Sequence, residues 1–224
     1  MGRIENKLTV PIWLVALLGI EMAGVVIATL LYLPPAEGFA SPSWARMIIF
    51  HVPCAMVAVV AYVVSTIYAI AYVVRANIAN DTKSAASASL GFVFTVLATV
   101  TGMVFAKIEW GTAWNWDPRE TSILMLMIVY VAYFALRGAI PNQTARARIS
   151  AAYNILACLV MPFLVYVLPR ISEGLHPNRA HLSPEYRMVL GAAMLGYLMI
   201  YVWLFRLSVQ ARESALARRK KRLP

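Results

Sequence analysis

Long apolar segments separated by short polar stretches make up most of this chain. A helix needs about 20 apolar residues to cross the hydrocarbon core of a bilayer. Six such segments fit the sequence, at about residues 11–33, 46–74, 87–106, 122–137, 149–168 and 186–206. The connections between them are too short to fold as a separate soluble domain. The pattern therefore predicts an all-α polytopic membrane protein in which residues 1–224 form one integral-membrane domain.

Prolines and charged residues indicate where some of these helices end or bend. Residues 75–86 contain three charged side chains and predict a polar turn. The fourth segment is short, which favours a helix that already begins at Pro118, because proline is well tolerated in a first helical turn. Pro162 lies inside the fifth segment and predicts a kink there.

The composition agrees with a membrane protein. The chain is 61% hydrophobic and 13% charged, whereas soluble domains are about half apolar and about a quarter charged. The net charge of +10 does not indicate a nucleic-acid surface, because the basic residues gather at one end of the predicted bundle and in the C-terminal tail. That distribution is typical of membrane topology and of contact with anionic lipid.

The distribution of Lys and Arg also predicts the orientation of the bundle. Cytoplasmic loops carry the excess of these residues. With the N-terminus inside, the outer segments hold six of the 20 basic residues, Arg46, Lys107, Arg119, Arg170, Arg179 and Arg187, and the inner segments hold the other fourteen. Both termini are therefore expected in the cytoplasm. Residues 107–122 and the loop at 169–184 are expected at the outer face.

Residues 107–122, here called the tryptophan block, are the most unusual stretch of the chain. They contain the pattern Trp-Gly-x-x-Trp-x-Trp-Asp-x-Arg, which begins at Trp110 and ends at Arg119. An interfacial belt explains single tryptophans at the end of a span, but it requires neither the glycine nor the close Asp/Arg pair. We favour a flat apolar platform with charges at its rim, suited to a large planar ligand that bears carboxylates.

Three histidines are predicted at the same face as the tryptophan block. His51 lies near the outer start of the second span, and His176 and His181 lie in the second outer loop. A single histidine at an interface is more often a hydrogen-bonded structural residue than a ligand. Together, however, His51 and His176 supply the two axial ligands that iron lacks in a planar macrocycle. His181 is left as a structural residue.

These residues carry a resemblance to a known family. The tryptophan block resembles the WWD domain of heme-handling proteins in cytochrome c maturation. The sequence Phe-His-Val-Pro around His51, the six spans and the length are most similar to the CcmC family of system I. The resemblance implies that heme b is held at the outer face with bis-histidine ligation by His51 and His176. It implies further contacts to heme from Trp110, Gly111, Trp114, Trp116, Asp117 and Arg119.

The resemblance also implies a place in the cell and a set of partners. It implies a multi-pass protein of the plasma (cell inner) membrane with its heme site facing the periplasm or cell exterior. Heme would be delivered to the heme chaperone CcmE, alongside the subunits CcmA, CcmB and CcmD of an ABC-transporter complex. We expect a binding and transfer protein rather than an enzyme. No Walker A motif is present, so any energy from nucleotides must come from a partner. Whether it assists covalent attachment of heme to the chaperone is left open.

Three alternatives remain beside this interpretation. The order Asp-Pro-Arg-Glu at residues 117–120 resembles the system II cytochrome c synthetases, although those are larger and use additional histidines. A permease-like protein that moves heme through its own bundle should show several charged residues within its spans, and Glu21 is thin support. For Glu21 we favour a helix-packing contact. A scaffold that anchors other subunits through its tryptophans is the third alternative.

Overall fold

The computed structural model describes residues 11–176 and 182–222. The described residues form helices joined by short irregular segments and contain no strand, and six of the helices are long and apolar enough to cross a membrane. The predicted fold class is therefore confirmed. His181 lies outside the described residues.

The helices are α1 (Ile12–Ile27, continued by a π-helical turn over Ala28–Tyr32), α2 (Ile48–Arg75, preceded by a 3-10 turn over Trp44–Met47), α3 (Ile78–Trp110), α4 (Pro118–Ala139), α5 (Gln143–Pro162, continued by a π-helical turn over Phe163–Val167), α6 (Leu168–Ile171) and α7 (Pro184–Arg222).

The prediction of a polar turn at 75–86 is wrong. Only two residues separate α2 from α3, because Asn77 caps the new helix by accepting a hydrogen bond from the backbone N–H of Ala79 at 2.9 Å. Asp81 is buried inside the bundle rather than exposed in a turn. Its two carboxylate oxygens accept bidentate hydrogen bonds from Arg137 at 2.6 and 3.0 Å. This pairing neutralises the charge and allows the helix to begin earlier than the charge pattern indicates.

The non-helical part of the tryptophan block is shorter than its predicted extent. Helix α3 continues to Trp110 and ends at Gly111, whose φ of +82° is a left-handed conformation that favours glycine. Helix α4 begins at Pro118, as predicted. Asp117 and Glu120 form a capping box at this end. In a capping box the side chain of each residue accepts a hydrogen bond from the backbone N–H of the other. The seven residues between the two helices are thereby fixed at both ends.

Helix α5 becomes irregular at its C-terminal end and leads into the short helix α6. Pro162 ends regular α-helix in α5, and the five-residue π-helical turn follows it. Proline removes one backbone donor and clashes with the preceding turn, which accounts for the irregularity predicted there. The short helix α6 then brings Arg170 to the same end of the bundle.

Aromatic side chains fill the bundle interior. The rings of Tyr62 and Tyr130 stack with centroids 3.6 Å apart, and both residues are fully buried. The hydroxyl groups are also paired, since the Tyr62 hydroxyl lies 2.9 Å from that of Thr95. The Tyr130 hydroxyl donates a hydrogen bond to Asn154 Oδ1 at 3.4 Å, so both stacked rings are also tied to neighbouring helices by their hydroxyl groups.

Helix α1 lies at the edge of the bundle and packs mainly against α7. Most of its large apolar side chains are exposed, as expected for a lipid-facing helix. Glu21 faces this contact and lies directly against Gly196, whose missing side chain leaves room for it. The packing interpretation of Glu21 agrees with this placement.

Candidate functional site

His51 lies in the first turn of α2 and is half-buried against α3. Its Nδ1 is 3.0 Å from the carbonyl oxygen of Ala98 and 3.2 Å from the hydroxyl oxygen of Thr101. Gly102 makes room for the ring, since a Cβ at that position would lie 2.9 Å from His51 Cε1. Two helices therefore fix the orientation of this imidazole.

His176 lies after α6 and is held by Asp117. The Nδ1 atom of His176 is 2.8 Å from Asp117 Oδ1, although 59 residues separate the two. The backbone N–H groups of Leu175 and His176 point to Asp117 Oδ2 at 2.6 and 3.4 Å. A Cβ on Gly174 would lie only 2.5 Å from the same oxygen, so this approach requires a glycine. The carboxylate thus joins the start of α4 to the segment that carries His176.

The charge states of this pair follow from their surroundings. Burial alone raises the pKa of Asp117, but the backbone N–H of Arg119, the interaction with His176 and the backbone N–H of Leu175 together hold it below its ordinary value. Burial lowers the pKa of His176 despite the opposing effect of Asp117. At neutral pH the arrangement is therefore an ionised carboxylate that accepts a hydrogen bond from a neutral imidazole.

The three tryptophans of the block occupy different positions. The Trp110 ring lies edge-on against His176, with centroids 4.7 Å apart, and edge-on against Phe105. Trp114 lines the cavity described below. Trp116 is 70% exposed and packs almost perpendicular to the Trp114 ring, with centroids 5.8 Å apart. Trp116 also has a φ of +56°, which is strained for a bulky residue.

One cavity of about 370 Å³ brings the predicted residues together. Its wall contains His51, His176, Trp114 and Arg119. The remainder of the wall is mostly apolar and comes from α2, α3, α4 and the irregular end of α5; it includes Val52, Ala55, Met56, Met103, Ile123, Leu164 and Val165. Cavities of this kind, apolar with a few fixed polar groups, are typical ligand sites.

Other predicted residues lie behind the wall. Among the described residues, the lining of the cavity does not include Trp110, Gly111, Trp116 or Asp117. Gly111 ends α3, and its carbonyl oxygen accepts a hydrogen bond from Lys107 at 2.7 Å. Trp110 and Asp117 act on the cavity through His176. Of the three tryptophans in the block, Trp114 is the one that lines the cavity.

The prediction from sequence did not include Arg170 or Gly174 among the site residues. Arg170 lines the cavity from α6, so two arginines face the same space. In the sequence Arg170 is one of six basic residues predicted at the outer face, and nothing in its neighbours distinguishes it. Gly174 precedes His176 by two residues, and an isolated glycine beside a candidate ligand is the one signal that indicates a close backbone approach.

The donor set suits a metal that already has other ligands. Among the described residues, no three His, Cys, Asp or Glu side chains converge in a way that could hold a metal ion. Two imidazoles in one cavity are nevertheless sufficient for iron in a macrocycle, which provides four equatorial nitrogens itself. Arginine guanidinium groups in the same wall suit the carboxylates of such a ligand.

Comparison with known proteins gives matches over most of the chain. The model of a family described as heme exporter protein C matches residues 3–223, a range that includes both histidines and the tryptophan block. A heme exporter protein C from Rhodobacter capsulatus is 28% identical over 218 residues, covering 94% of this chain and 88% of that protein. Its counterpart from Escherichia coli K12 is 29% identical over 214 residues, covering 89% and 86%.

Proposed function

The chain belongs to the heme exporter protein C family, and on that premise we propose that it binds heme in the cavity between His51 and His176 and passes it on. Heme is here the cargo, held for transfer. The observation that carries the proposal is that two histidines 125 residues apart in the chain line one cavity together with a tryptophan and an arginine. The proposed heme is heme b, with one axial ligand from each histidine.

Each group in the wall has a role in holding this cargo. The imidazoles bind the iron through Nε2, because each Nδ1 already has a protein partner. Trp114 offers a flat apolar surface to the porphyrin. Arg119 and Arg170 offer guanidinium groups to the propionates, where a planar fork can make two hydrogen bonds to one carboxylate. Asp117 is buried behind His176, so its charge is kept away from the propionates.

The packing below the cavity supports binding and transfer rather than passage through the bundle. The stacked and buried pair Tyr62 and Tyr130 occupies the interior between α2 and α4. A planar macrocycle would have to displace these rings to move between the helices. The relatives are named heme exporter protein C, so transport of heme is the second candidate function. In that case heme would cross the membrane at another place in a complex.

The direction of transfer and the partners complete the proposal. The excess of Lys and Arg on the opposite loops supports cytoplasmic termini and a heme site at the outer face of the plasma membrane. The proposed acceptor is the heme chaperone CcmE in the maturation of c-type cytochromes, with CcmA, CcmB and CcmD as the other subunits.

Transfer to a purified acceptor tests this function. Hemin-loaded protein in detergent is mixed with the soluble domain of CcmE, and heme is followed in each protein after separation. We expect heme to move to the chaperone from wild type and to move far less from the His51→Ala and His176→Ala variants. If the loaded wild type retains all its heme in the presence of the chaperone and its partner subunits, delivery to CcmE is wrong.

A further inference from the structure

Both histidines of the cavity present the same ring nitrogen. A carbonyl oxygen can only accept a hydrogen bond, so the contact with Ala98 places the hydrogen of His51 on Nδ1. The hydroxyl of Thr101 donates to the carbonyl oxygen of Leu97 at 2.7 Å, so its oxygen accepts from His51 as well. The carboxylate of Asp117 likewise places the hydrogen of His176 on Nδ1. In each ring Nε2 keeps its lone pair.

The partners of the two rings differ in charge. His51 donates to a carbonyl and a hydroxyl, both neutral, whereas His176 donates to an ionised carboxylate. A carboxylate on the far nitrogen raises the basicity of a metal-binding imidazole and fixes its orientation, and removing such a partner typically costs about 10–100-fold in metal affinity. The two imidazoles therefore differ in their partners, and only the His176 ring has the carboxylate that strengthens a metal-binding histidine.

Asp117 is itself held firmly enough for this role. Its Oδ1 accepts from the backbone N–H of Arg119 at 2.8 Å and its Oδ2 accepts from that of Leu175 at 2.6 Å. Only 1% of its side chain is exposed. His176 lies outside any helix, and these hydrogen bonds supply the rigidity that a helix supplies to His51. Asp117 is therefore a positioning residue that acts through His176.

From this asymmetry we propose that the two axial ligands are inequivalent, with His176 retaining the iron and His51 being the ligand that an incoming donor displaces. The inference rests on the proposed function, because it concerns the same two histidines. In the exchange the bond from iron to His51 Nε2 breaks as a bond to the incoming nitrogen forms. No electron is transferred, and the protein keeps hold of the heme through His176 until the new ligand is in place.

The test compares the rate at which hemin leaves each variant for excess apomyoglobin. We expect His176→Gly to lose hemin at least about tenfold faster than His51→Gly, in line with the effect of a carboxylate partner. Asp117→Asn keeps the shape and the helix cap but removes the charge. Asp117→Asn should accelerate hemin loss about 10–100-fold in wild type and in His51→Gly. It should have no further effect in His176→Gly, because the imidazole that Asp117 contacts is absent there.

A matched control removes another carboxylate from the same end of the bundle. Glu109 also accepts two backbone N–H groups, from Ala40 at 2.6 Å and Ser41 at 3.2 Å, and it contacts neither histidine. Glu109→Gln should leave the rate of hemin loss unchanged. Gly174→Ala provides a second variant, because its Cβ would push Asp117 from its position without changing any charge; it should behave as Asp117→Asn does.

Imidazole gives a second readout of the same asymmetry. Added to hemin-loaded wild type, imidazole should replace His51 while the heme stays bound, and Asp117→Asn should instead release the heme. Equal rates of hemin loss from His51→Gly and His176→Gly would overturn the inequivalence. It would also be overturned if Asp117→Asn accelerated hemin loss as much in His176→Gly as in wild type. In either case a bis-histidine spectrum of wild type would still support the proposed function, and its absence would refute that function separately.

Discussion

The ring of Trp110 lies edge-on against the imidazole of His176, with their centroids 4.7 Å apart. Edge-to-face aromatic pairs are worth about 0.5–1.5 kcal/mol beyond the area that they bury. Trp110 therefore stabilises the position of the His176 ring, whereas Trp114 lines the cavity and would contact the cargo itself. Two tryptophans of one motif thus have different expected roles.

This difference predicts two distinct mutant phenotypes. Trp114→Ala should lower heme retention about tenfold by removing a stacking surface, and the heme that remains should keep its bis-histidine spectrum. Trp110→Ala should alter the spectrum itself, because His176 loses a neighbour that orients it. Trp116→Ala should have the smallest effect, since its ring is 70% exposed. Absorption spectra and heme content of the three variants check this, and identical behaviour would contradict it.

Gly102 is predicted to be essential for the position of His51. The Cβ of Gly102→Ala would lie 2.9 Å from His51 Cε1 and force the ring to move. A side chain forced about 30° from its rotamer costs about 0.5–1.5 kcal/mol, so heme affinity should fall several-fold. Gly19→Ala is the control, because nothing lies within 4 Å of its Cβ. Hemin titration measures both, and unchanged affinity in Gly102→Ala would contradict the placement of His51.

Arg119 is predicted to bind a propionate of heme. A hydrogen bond to a charged group is worth about 1.5–3 kcal/mol, so Arg119→Ala should reduce heme affinity about tenfold or more. The heme affinity of Arg119→Lys should lie between those of wild type and Arg119→Ala, because lysine keeps the charge and loses the planar fork. Arg187→Ala is the control, since that arginine does not line the cavity. Hemin titration with wild-type affinity in Arg119→Ala would remove Arg119 from the site.

The pair of Asp81 and Arg137 is predicted to stabilise the fold without affecting the heme site. The two side chains are only 7% and 15% exposed. Removing one partner of a buried pair leaves an uncompensated charge and costs about 3–5 kcal/mol. Asp81→Ala should therefore lower the thermal unfolding temperature in detergent, and the double variant Asp81→Asn/Arg137→Gln should recover part of the loss. An unchanged unfolding temperature in Asp81→Ala would show that the pair is dispensable.

The sequence predicted the helices well because apolar length decides whether a segment spans a membrane. It also predicted four of the residues that line the cavity, since His51, His176, Trp114 and Arg119 stand out locally. The polar turn at 75–86 was mispredicted because the partner that neutralises Asp81 lies 56 residues further along the chain. The contact between Asp117 and His176 was missed for the same reason, as tertiary pairing leaves no local pattern.

The absorption spectrum of the purified protein tests the central claim most directly. Wild type, His51→Ala and His176→Ala are purified in detergent, loaded with hemin and measured in the ferric and ferrous states. We predict a bis-histidine, six-coordinate spectrum for wild type, and loss of that spectrum in each variant with its recovery on addition of imidazole. A wild-type spectrum in both single variants and in the double variant would contradict ligation by His51 and His176.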